Sequence, residues 1–433
     1  MVRGWHEVRD PLHDFIVLND LEREIADTPE FQRLRRIKQL ATTHLVYPGA
    51  MHTRFEHALG TMYLATRAFD TLLAKGGSRF LADLGWRNED EANRARQILR
   101  VGALLHDIGH PPFSHAPEEK LLPNGRRHED FTVEIIKNSQ VAQIIEQSPI
   151  FSLPIEDVVY IAVGSKSKVV PSDVATRFLG EIVFGDLGVD RIDYLNRDSL
   201  HLGVQYGRFD YERLLNTLTY AIREDVGDPV LASEEGGVHS AEGLLLARYF
   251  MFTQVYFHDV RVAYDLHLED FMRAFLKRSG GGGCLPSDVD KYVALSDVDF
   301  EQAMTSPDTE ELRELAKPFL DREYHFRMAL ELYPSDQETT PNVVEVLQRV
   351  MDERFASSVR WAEPTKETYS LRSGEMLVVG DRPEDIMVRS ELLHTLPPSI
   401  WRGRFYTTSE LKDDVSEFGN ETIQKLKEEA LGH

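Results

Sequence analysis

Residues 98–107 run an apolar helical stripe directly into two chargeable side chains. Ile98, Val101 and Leu105 share one helical face. Leu104 and Leu105 lead into His106 and Asp107 without a polar break, and Gly109, Pro111 and Pro112 close the helix. A charge at the buried end of a helix is costly unless it is paired or holds a metal. The fold must therefore bring ligands or counter-charges to this point from other elements, which requires helices packed around it. The spacing predicts such helices. One spans 29–40, started by Asp27-Thr28-Pro29 and striped by Phe31, Leu34, Ile37 and Leu40. A second spans 54–74, with Phe55, Leu59, Met62, Ala65 and Phe69 inside and Gly76-Gly77 at its end, and a third spans 91–107. Residues 129–148, 154–163, 188–200, 208–217 and 240–276 continue the pattern, which leaves little room for a parallel sheet. Ser279 to Gly283 reads as a flexible loop. Beyond about residue 318 the texture changes, and 375–380 and 386–391 read as short strands. The expected fold is mainly α, with a helical core over 1–276 and a smaller α+β lobe over 277–433.

Composition narrows the function. The chain has 433 residues, 49 Lys+Arg against 72 Asp+Glu, and a net charge of −23. A surface that acidic repels phosphate backbones, so non-specific binding to nucleic acid is disfavoured. The single cysteine, Cys284, excludes an internal disulfide framework and a Cys-based zinc cluster. The start, Met-Val-Arg-Gly-Trp-His-Glu, has no apolar leader segment, and no apolar run is long enough to span a bilayer. A cytoplasmic enzyme or regulator without membrane contact is expected. Phosphate-cradle, dinucleotide-binding, zincin and nucleophile-elbow motifs are all absent from the sequence.

Histidines crowd one stretch. His52 and His57 lie in Met-His-Thr-Arg-Phe-Glu-His, and His106-Asp107 opens a run that adds His110 and His115 before His128-Glu129. Imidazole and carboxylate together suit a first-row divalent metal. His106 and Asp107 at one helix end, His57 at the start of another helix and Asp190 from a third would give four protein ligands. Positions would remain open for water and substrate, as catalytic sites require. Any one of these histidines alone is as well explained as a helix cap or a partner of a surface acid; the spacing of the set favours the metal. Asp190, Tyr194 and Asp198 stand at i, i+4 and i+8 and so share one helical face, with Arg191 beside them. Asp193 and Arg197 form an i, i+4 pair on a neighbouring face, expected to be structural.

These motifs resemble the HD-domain deoxynucleoside triphosphate triphosphohydrolases. The order His57, His106-Asp107, Asp190 reproduces the H…HD…D signature. The flanking text is more specific: Asp27-Thr28-Pro29-Glu30-Phe31-Gln32-Arg33-Leu34-Arg35, Tyr47-Pro-Gly-Ala, His52-x-Arg54-Phe55-Glu56-His57, His106-Asp-Ile-Gly-His-x-Pro-Phe-Ser-His115 and Asp190-Arg-x-Asp-Tyr-x-x-Arg-Asp198. The resemblance runs clearly from about residue 8 to 260. It implies hydrolysis of dNTPs, in a dGTPase-like manner, to deoxynucleoside and inorganic triphosphate. It implies His57, His106, Asp107 and Asp190 as ligands of one divalent transition metal (manganese, iron, nickel, cobalt or zinc), with magnesium accompanying the nucleotide. Arg54 and Arg191 resemble phosphate contacts, although vertebrate members carry lysine where Arg191 stands. Gln39 and Asp198 resemble the pair that recognises the sugar 3′-hydroxyl, with Leu40 beside Gln39 in the substrate set. Tyr194 resembles the ring packed on deoxyribose. Tyr256 and Arg248 resemble a base-side wall and a further phosphate contact. His110, His115 and His128, with Glu118 and Glu129, resemble the acid/base group, His115 foremost as proton donor.

The resemblance also implies an activating nucleotide at Asp27, Gln32 and Arg35. His6 and Glu7 depart from the expected lysine-containing phosphate contact there, and Phe15 replaces a histidine. A homodimer or tetramer is expected on the same ground. Two other readings use the same residues: an HD phosphohydrolase acting on another nucleotide or on nucleic-acid ends, and a nucleotide-sensing scaffold. The sugar set Gln39, Tyr194 and Asp198 argues for a deoxynucleotide.

Overall fold

The computed structural model describes residues 4–148, 153–164, 168–223, 227–322, 325–339, 342–367, 376–380, 382–397 and 399–431. A hairpin opens the chain: β1 (His6–Asp10) pairs antiparallel with β2 (Asp14–Leu18) through a turn whose Asp14 has φ 60°. The helical core is built from α1 (Arg54–Asp83), α2 (Glu89–Leu105), α3 (His128–Asn138), α4 (Ile155–Val163), α5 (Val174–Phe184) and α6 (Val189–Leu202). They are followed by α7 (Val238–Met251) and α8 (Asp259–Arg278). Leu59, Met62, Ala65 and Phe69 of α1 pack with Leu99, Val101 and Leu105 of α2 and with Val158 and Ile161 of α4 in one buried cluster. The stripes anticipated for the second and third helices are the ones that make it.

Among the described residues, two small sheets and a two-stranded antiparallel ladder, Thr365–Glu367 with Ser399–Trp401, hold the remaining strands. β3 (Leu218–Ile222) pairs antiparallel with β4 (Pro229–Glu234). β4 pairs in parallel with β7 (Leu377–Val379), which pairs with β8 (Pro383–Asp385). The second sheet places β9 (Gly403–Thr407) between β5 (Arg327–Leu332) and β6 (Val359–Ala362). Leu330, Leu332 and Phe405 of this sheet pack on Leu347 and Met351 of α12 (Val343–Phe355) and on Val415 and Ile423 of α13 (Lys412–Leu431). Between core and sheet lie α9 (Val289–Val293), α10 (Asp297–Thr305) and α11 (Glu310–Leu320). Their Tyr292, Phe300 and Leu312 join Phe113, Phe131, Leu268 and Phe271 in a second buried cluster. The fold is mainly α with a smaller sheet-containing C-terminal part. No described helix is long and apolar enough to cross a membrane.

Several expected elements differ. The helix over 29–40 is only a turn of α-helix (Pro29–Gln32) and a turn of 3-10 helix (Arg33–Arg36). Arg33, fully buried, donates to the carbonyls of Leu295 and His110 instead of facing solvent, and Lys38 pairs as an isolated bridge with Thr53. Tertiary hydrogen bonds outweigh helical periodicity there. Residues 129–148 split at Ser139, and 240–276 is broken by a π-turn at Phe252–Tyr256. Gly77, with φ 51° and ψ −134°, leaves the helical region where Gly76-Gly77 is expected to end the helix, so α1 is two helical pieces that meet at a kink there. Within 375–380 the strand is Leu377–Val379, residue 375 lying outside the described residues. The stretch 386–391 is not a strand: Ile386–Arg389 is a helical turn capped by Asp385, and Glu391 opens the next turn.

The crossing of α1 and α6 has no room at Gly60, where an added Cβ would lie 2.0 Å from Asp193 Oδ1 and 2.4 Å from an Arg197 guanidinium nitrogen. Gly60→Ala is expected to cost about 1–3 kcal/mol through overpacking, read as a lowered denaturation midpoint.

Candidate active site

The His-Asp helix end meets two other helices. His106 and Asp107 follow α2, His57 sits in the first turn of α1 beside the N-cap Thr53, and Asp190 occupies the first turn of α6. His57 Nε2 lies 3.1 Å from Asp190 Oδ1 and 3.2 Å from His106 Nε2. His106 Nε2 lies 3.6 Å from Asp190 Oδ1 and 3.4 Å from Asp107 Oδ1. Metal–ligand bonds near 2.0–2.2 Å place neighbouring donors about 3 Å apart, so His57, His106 and Asp190 fit around one divalent cation, with Asp107 beside them and turned to Arg54.

Both imidazoles are aimed from behind. His106 Nδ1 bonds to the Ala103 carbonyl at 2.8 Å, and His57 Nδ1 to Asp193 Oδ2 at 2.7 Å, which turns each Nε2 toward the shared point. Burial disfavours a charged imidazole at His57. Hydrogen bonds donated to the Asp190 and Asp193 carboxylates nevertheless push it up to about 10. Burial also opposes the charge of Asp107, yet the Arg54 guanidinium and the neighbouring imidazoles hold it well below the usual carboxylate range.

A second cluster adjoins the first through His110, whose Nε2 is 3.3 Å from Asp107 Oδ1. The His110 ring stacks on His128 with centroids 3.8 Å apart and meets His115 edge-on at 4.6 Å. Glu118 joins the outer two: its Oε2 is 2.6 Å from His115 Nδ1, and its Oε1 is 2.6 Å from His128 Nδ1. Burial and the Arg54 charge keep His110 well below the normal histidine range. Burial works the same way on His128, but Glu118 outweighs it and raises that histidine. Glu129 Oε2 lies 3.4 Å from His128 Nδ1.

Across α6 sit the remaining expected contacts. Asp198 is buried, with Oδ1 2.7 Å from His52 Nε2, and Oδ2 accepts from the Tyr256 hydroxyl at 2.5 Å. An Arg248 guanidinium nitrogen donates to the Tyr194 hydroxyl, and another donates to the Glu367 carbonyl at 2.8 Å. Arg54 pairs with Asp107 and donates from Nε to Ser114 Oγ at 2.8 Å. Arg191 is drawn to Asp186, donating to its carboxylate at 2.5 Å. The Gln39 backbone N–H donates to the His52 carbonyl at 3.0 Å, its side-chain carbonyl is buried without a hydrogen bond, and the Leu40 carbonyl accepts from Thr43 N–H at 2.9 Å. Elsewhere on the surface, Arg35 donates to the Gln32 side chain at 2.9 Å and covers the Phe55 ring at 3.5 Å, and exposed Asp27 caps the preceding helix.

Residues 54–163 match the HD domain model, and residues 209–349 match the HD associated region. A solved hypothetical protein from Aquifex aeolicus is 31% identical, with a TM-score of 0.76, covering 96% of this chain and 99% of that one. The chain belongs to the HD-domain family. An uncharacterized protein of Methanocaldococcus jannaschii, MJ1154, is 37% identical over 59% of this chain and 47% of its own length. The deoxynucleoside triphosphate triphosphohydrolase SAMHD1 of Homo sapiens is 29% identical over 76% of this chain and 56% of its own. The chain thus spans about half the length of the curated relatives it matches.

The HD-domain motif accounts for the donors but not for what holds them. Asp193 was expected only as half of a helical pair with Arg197. That pair exists, with Nε 2.8 Å from Oδ2, but the same carboxylate also orients His57 and accepts from His13 at 2.6 Å. The available signal was the i, i+3 step from Asp190, which turns both acids toward α1. His52 and Ser114 stand inside the motifs, but their partners Asp198 and Lys38 lie far away in the chain, and His13 carries no spacing signal.

Asp193→Asn is expected to weaken divalent-metal affinity about 10- to 100-fold, as loss of an outer hydrogen-bond partner does, measured by metal titration of the intact chain. A metal must displace the proton that His57 holds up to about 10. Binding should therefore release a proton near neutral pH and weaken as pH falls. Calorimetric titration in buffers of different ionisation enthalpy reads that proton directly.

Proposed function

We propose that this HD-domain chain is a metal-dependent phosphohydrolase that converts a dNTP to deoxynucleoside and inorganic triphosphate. The observation that carries the reading is the contact, through His110 and Asp107, between the His57–His106–Asp190 cluster and the His115–Glu118–His128 triad. A cation site with an adjoining proton-donating group is what hydrolysis at phosphorus with a poor leaving group needs. The likeness to SAMHD1 supports the same substrate class.

In this reading His57, His106, Asp107 and Asp190 hold the metal. Once bound, it supplies a water of lowered pKa and polarises the α-phosphate. Water adds at the α-phosphorus, the bond to the 5′-oxygen breaks, and the triphosphate departs whole. The chain's own task is to deliver a proton to that oxygen. His115 is the donor: its Nδ1 is held by Glu118, which leaves Nε2 for the leaving group. Glu118, held far below the usual carboxylate range by the two imidazoles despite its burial, stays charged and raises His128, while burial lowers His115 and favours release of its proton. Glu129 is placed to bias His128, and His110 links the triad to Asp107.

Arg54, Arg191 and Arg248 offset the triphosphate charge by exchanging Asp107, Asp186 and the Tyr194 hydroxyl for phosphate oxygens. Tyr194 packs on the deoxyribose and leaves no space for a 2′-hydroxyl. Asp198 and Gln39, with Leu40 beside them, recognise the 3′-hydroxyl, and Tyr256, already bonded to Asp198, closes the base side. Asp27, Gln32 and Arg35 are proposed to take an activating nucleotide. We assign the molecule to the cytoplasm as a homodimer or tetramer, with a core over 1–276 and a lobe over 277–433.

The deciding experiment is product analysis of metal-loaded protein with the four dNTPs, singly and mixed, beside the four NTPs. Deoxynucleoside plus intact triphosphate is expected; nucleotide monophosphate or no product rejects the reaction. His115→Ala should keep its metal yet lose about 10²- to 10⁴-fold in kcat, the usual contribution of a positioned acid. Full turnover in that variant would remove His115 from the mechanism.

A further inference from the structure

The loop carrying His110 and His115 is bent into a form that its own residues do not favour. Phe113 and Ser114 stand consecutively at φ 59° and 57°, the left-handed region that side-chain-bearing residues rarely adopt. Such a pair persists only where the surroundings over-determine it. The reversal brings His115 back against His110.

Most of the groups that hold this bend come from outside residues 54–163, the stretch that matches the HD domain. The Tyr292 hydroxyl of α9 donates to the Gly109 carbonyl at 2.7 Å. Asp297, first residue of α10 and 1% exposed, accepts the Phe113 N–H at 2.7 Å on Oδ1 and the Lys38 N–H at 2.9 Å on Oδ2. One carboxylate thus ties the His110–His115 loop to the segment that precedes Gln39. Ser114 repeats the tie, donating from Oγ to the Lys38 carbonyl at 2.6 Å while it accepts from Arg54. Arg33 completes it, bridging the carbonyls of His110 at 2.9 Å and Leu295 at 2.7 Å. The Phe113 ring is buried near Phe300 of α10, with centroids 6.0 Å apart.

We propose that Tyr292 and Asp297 are positioning residues: α9 and the start of α10 act as an external splint that sets where His110 and His115 present their rings. The catalytic consequence rests on the reading that this loop supplies the proton; the splint itself does not. Neither residue belongs to the metal cluster, so their loss should leave metal binding intact while displacing the acid.

The test uses Asp297→Asn, which turns one acceptor into a donor facing a main-chain N–H, and the milder Tyr292→Phe, which keeps the ring stacked on Phe131. Metal content, hydrogen–deuterium exchange of residues 108–116, kcat and KM are measured on the full metal-loaded chain. The expected result is unchanged metal content and faster exchange confined to 108–116. With it, kcat should fall roughly 10- to 100-fold, as misplacement of a reacting group by about 1 Å produces, at a KM within about threefold. Unchanged exchange in 108–116 in both variants overturns the splint whatever the activity. Exchange that rises equally throughout α1 and α2 also overturns it, because it shows general destabilisation. If the unaltered chain hydrolyses no nucleotide, the function reading fails, while confined exchange with retained metal still supports the splint.

Discussion

The Asp193 carboxylate is the point on which the molecule turns. It is fully buried, and its two oxygens meet His57 of α1, Arg197 of its own helix and His13 from the turn of the N-terminal hairpin. Arg197 continues to Asp10 at 2.8 Å, so the hairpin is fastened to the core by the same network. A charge this deep is tolerable only with every partner in place, and that requirement fixes the angle at which α1 and α6 cross. Gly60 lies at the crossing because any larger residue would enter the network. The orientation of the His57 ring is therefore a property of the helix packing, because the Asp193 network that aims it is the one that fastens α1 to α6.

The chain carries a net charge of −23, and around the metal-ligand cluster arginines and acids are buried together. Each cation has a local partner: Arg54 has Asp107, Arg191 has Asp186, and Arg248 has the Tyr194 hydroxyl and a main-chain carbonyl. A guanidinium held this way keeps its position at little cost. A net charge of −23 repels long polyanions.

The donors were legible in the sequence because each sits beside a helix end that periodicity marks. His57 follows Thr53, His106-Asp107 follows the stripe of α2, and Asp190 opens α6. The helices around them were legible for the same reason. What escaped was set by distance along the chain. The stripe over 29–40 is genuine, since Phe31, Leu34 and Ile37 are all buried, but Arg33 and Lys38 find partners near residues 295–301 that no local pattern announces. Both early hairpins were hidden by their brevity, five or six residues to a strand. Ile386-Met387-Val388 has strand composition, yet the Asp385 side chain caps Met387 N–H at 2.9 Å and starts a helical turn.

The parallel ladder between β4 and β7 joins Ala232 to Leu377 and so spans a third of the chain. Its partner strand β3 lies beside β4 in a local hairpin, and every donor of the metal cluster comes from residues before 191. Closing so long a loop is entropically slow, and contacts of this separation dominate folding times. The order of assembly follows: helices and cluster can form on a nascent chain, whereas the four-stranded sheet must wait until residue 385 has been made. During synthesis the unpaired edge of β4, with five of its six residues destined for burial, is the surface most in need of protection from pairing with another chain.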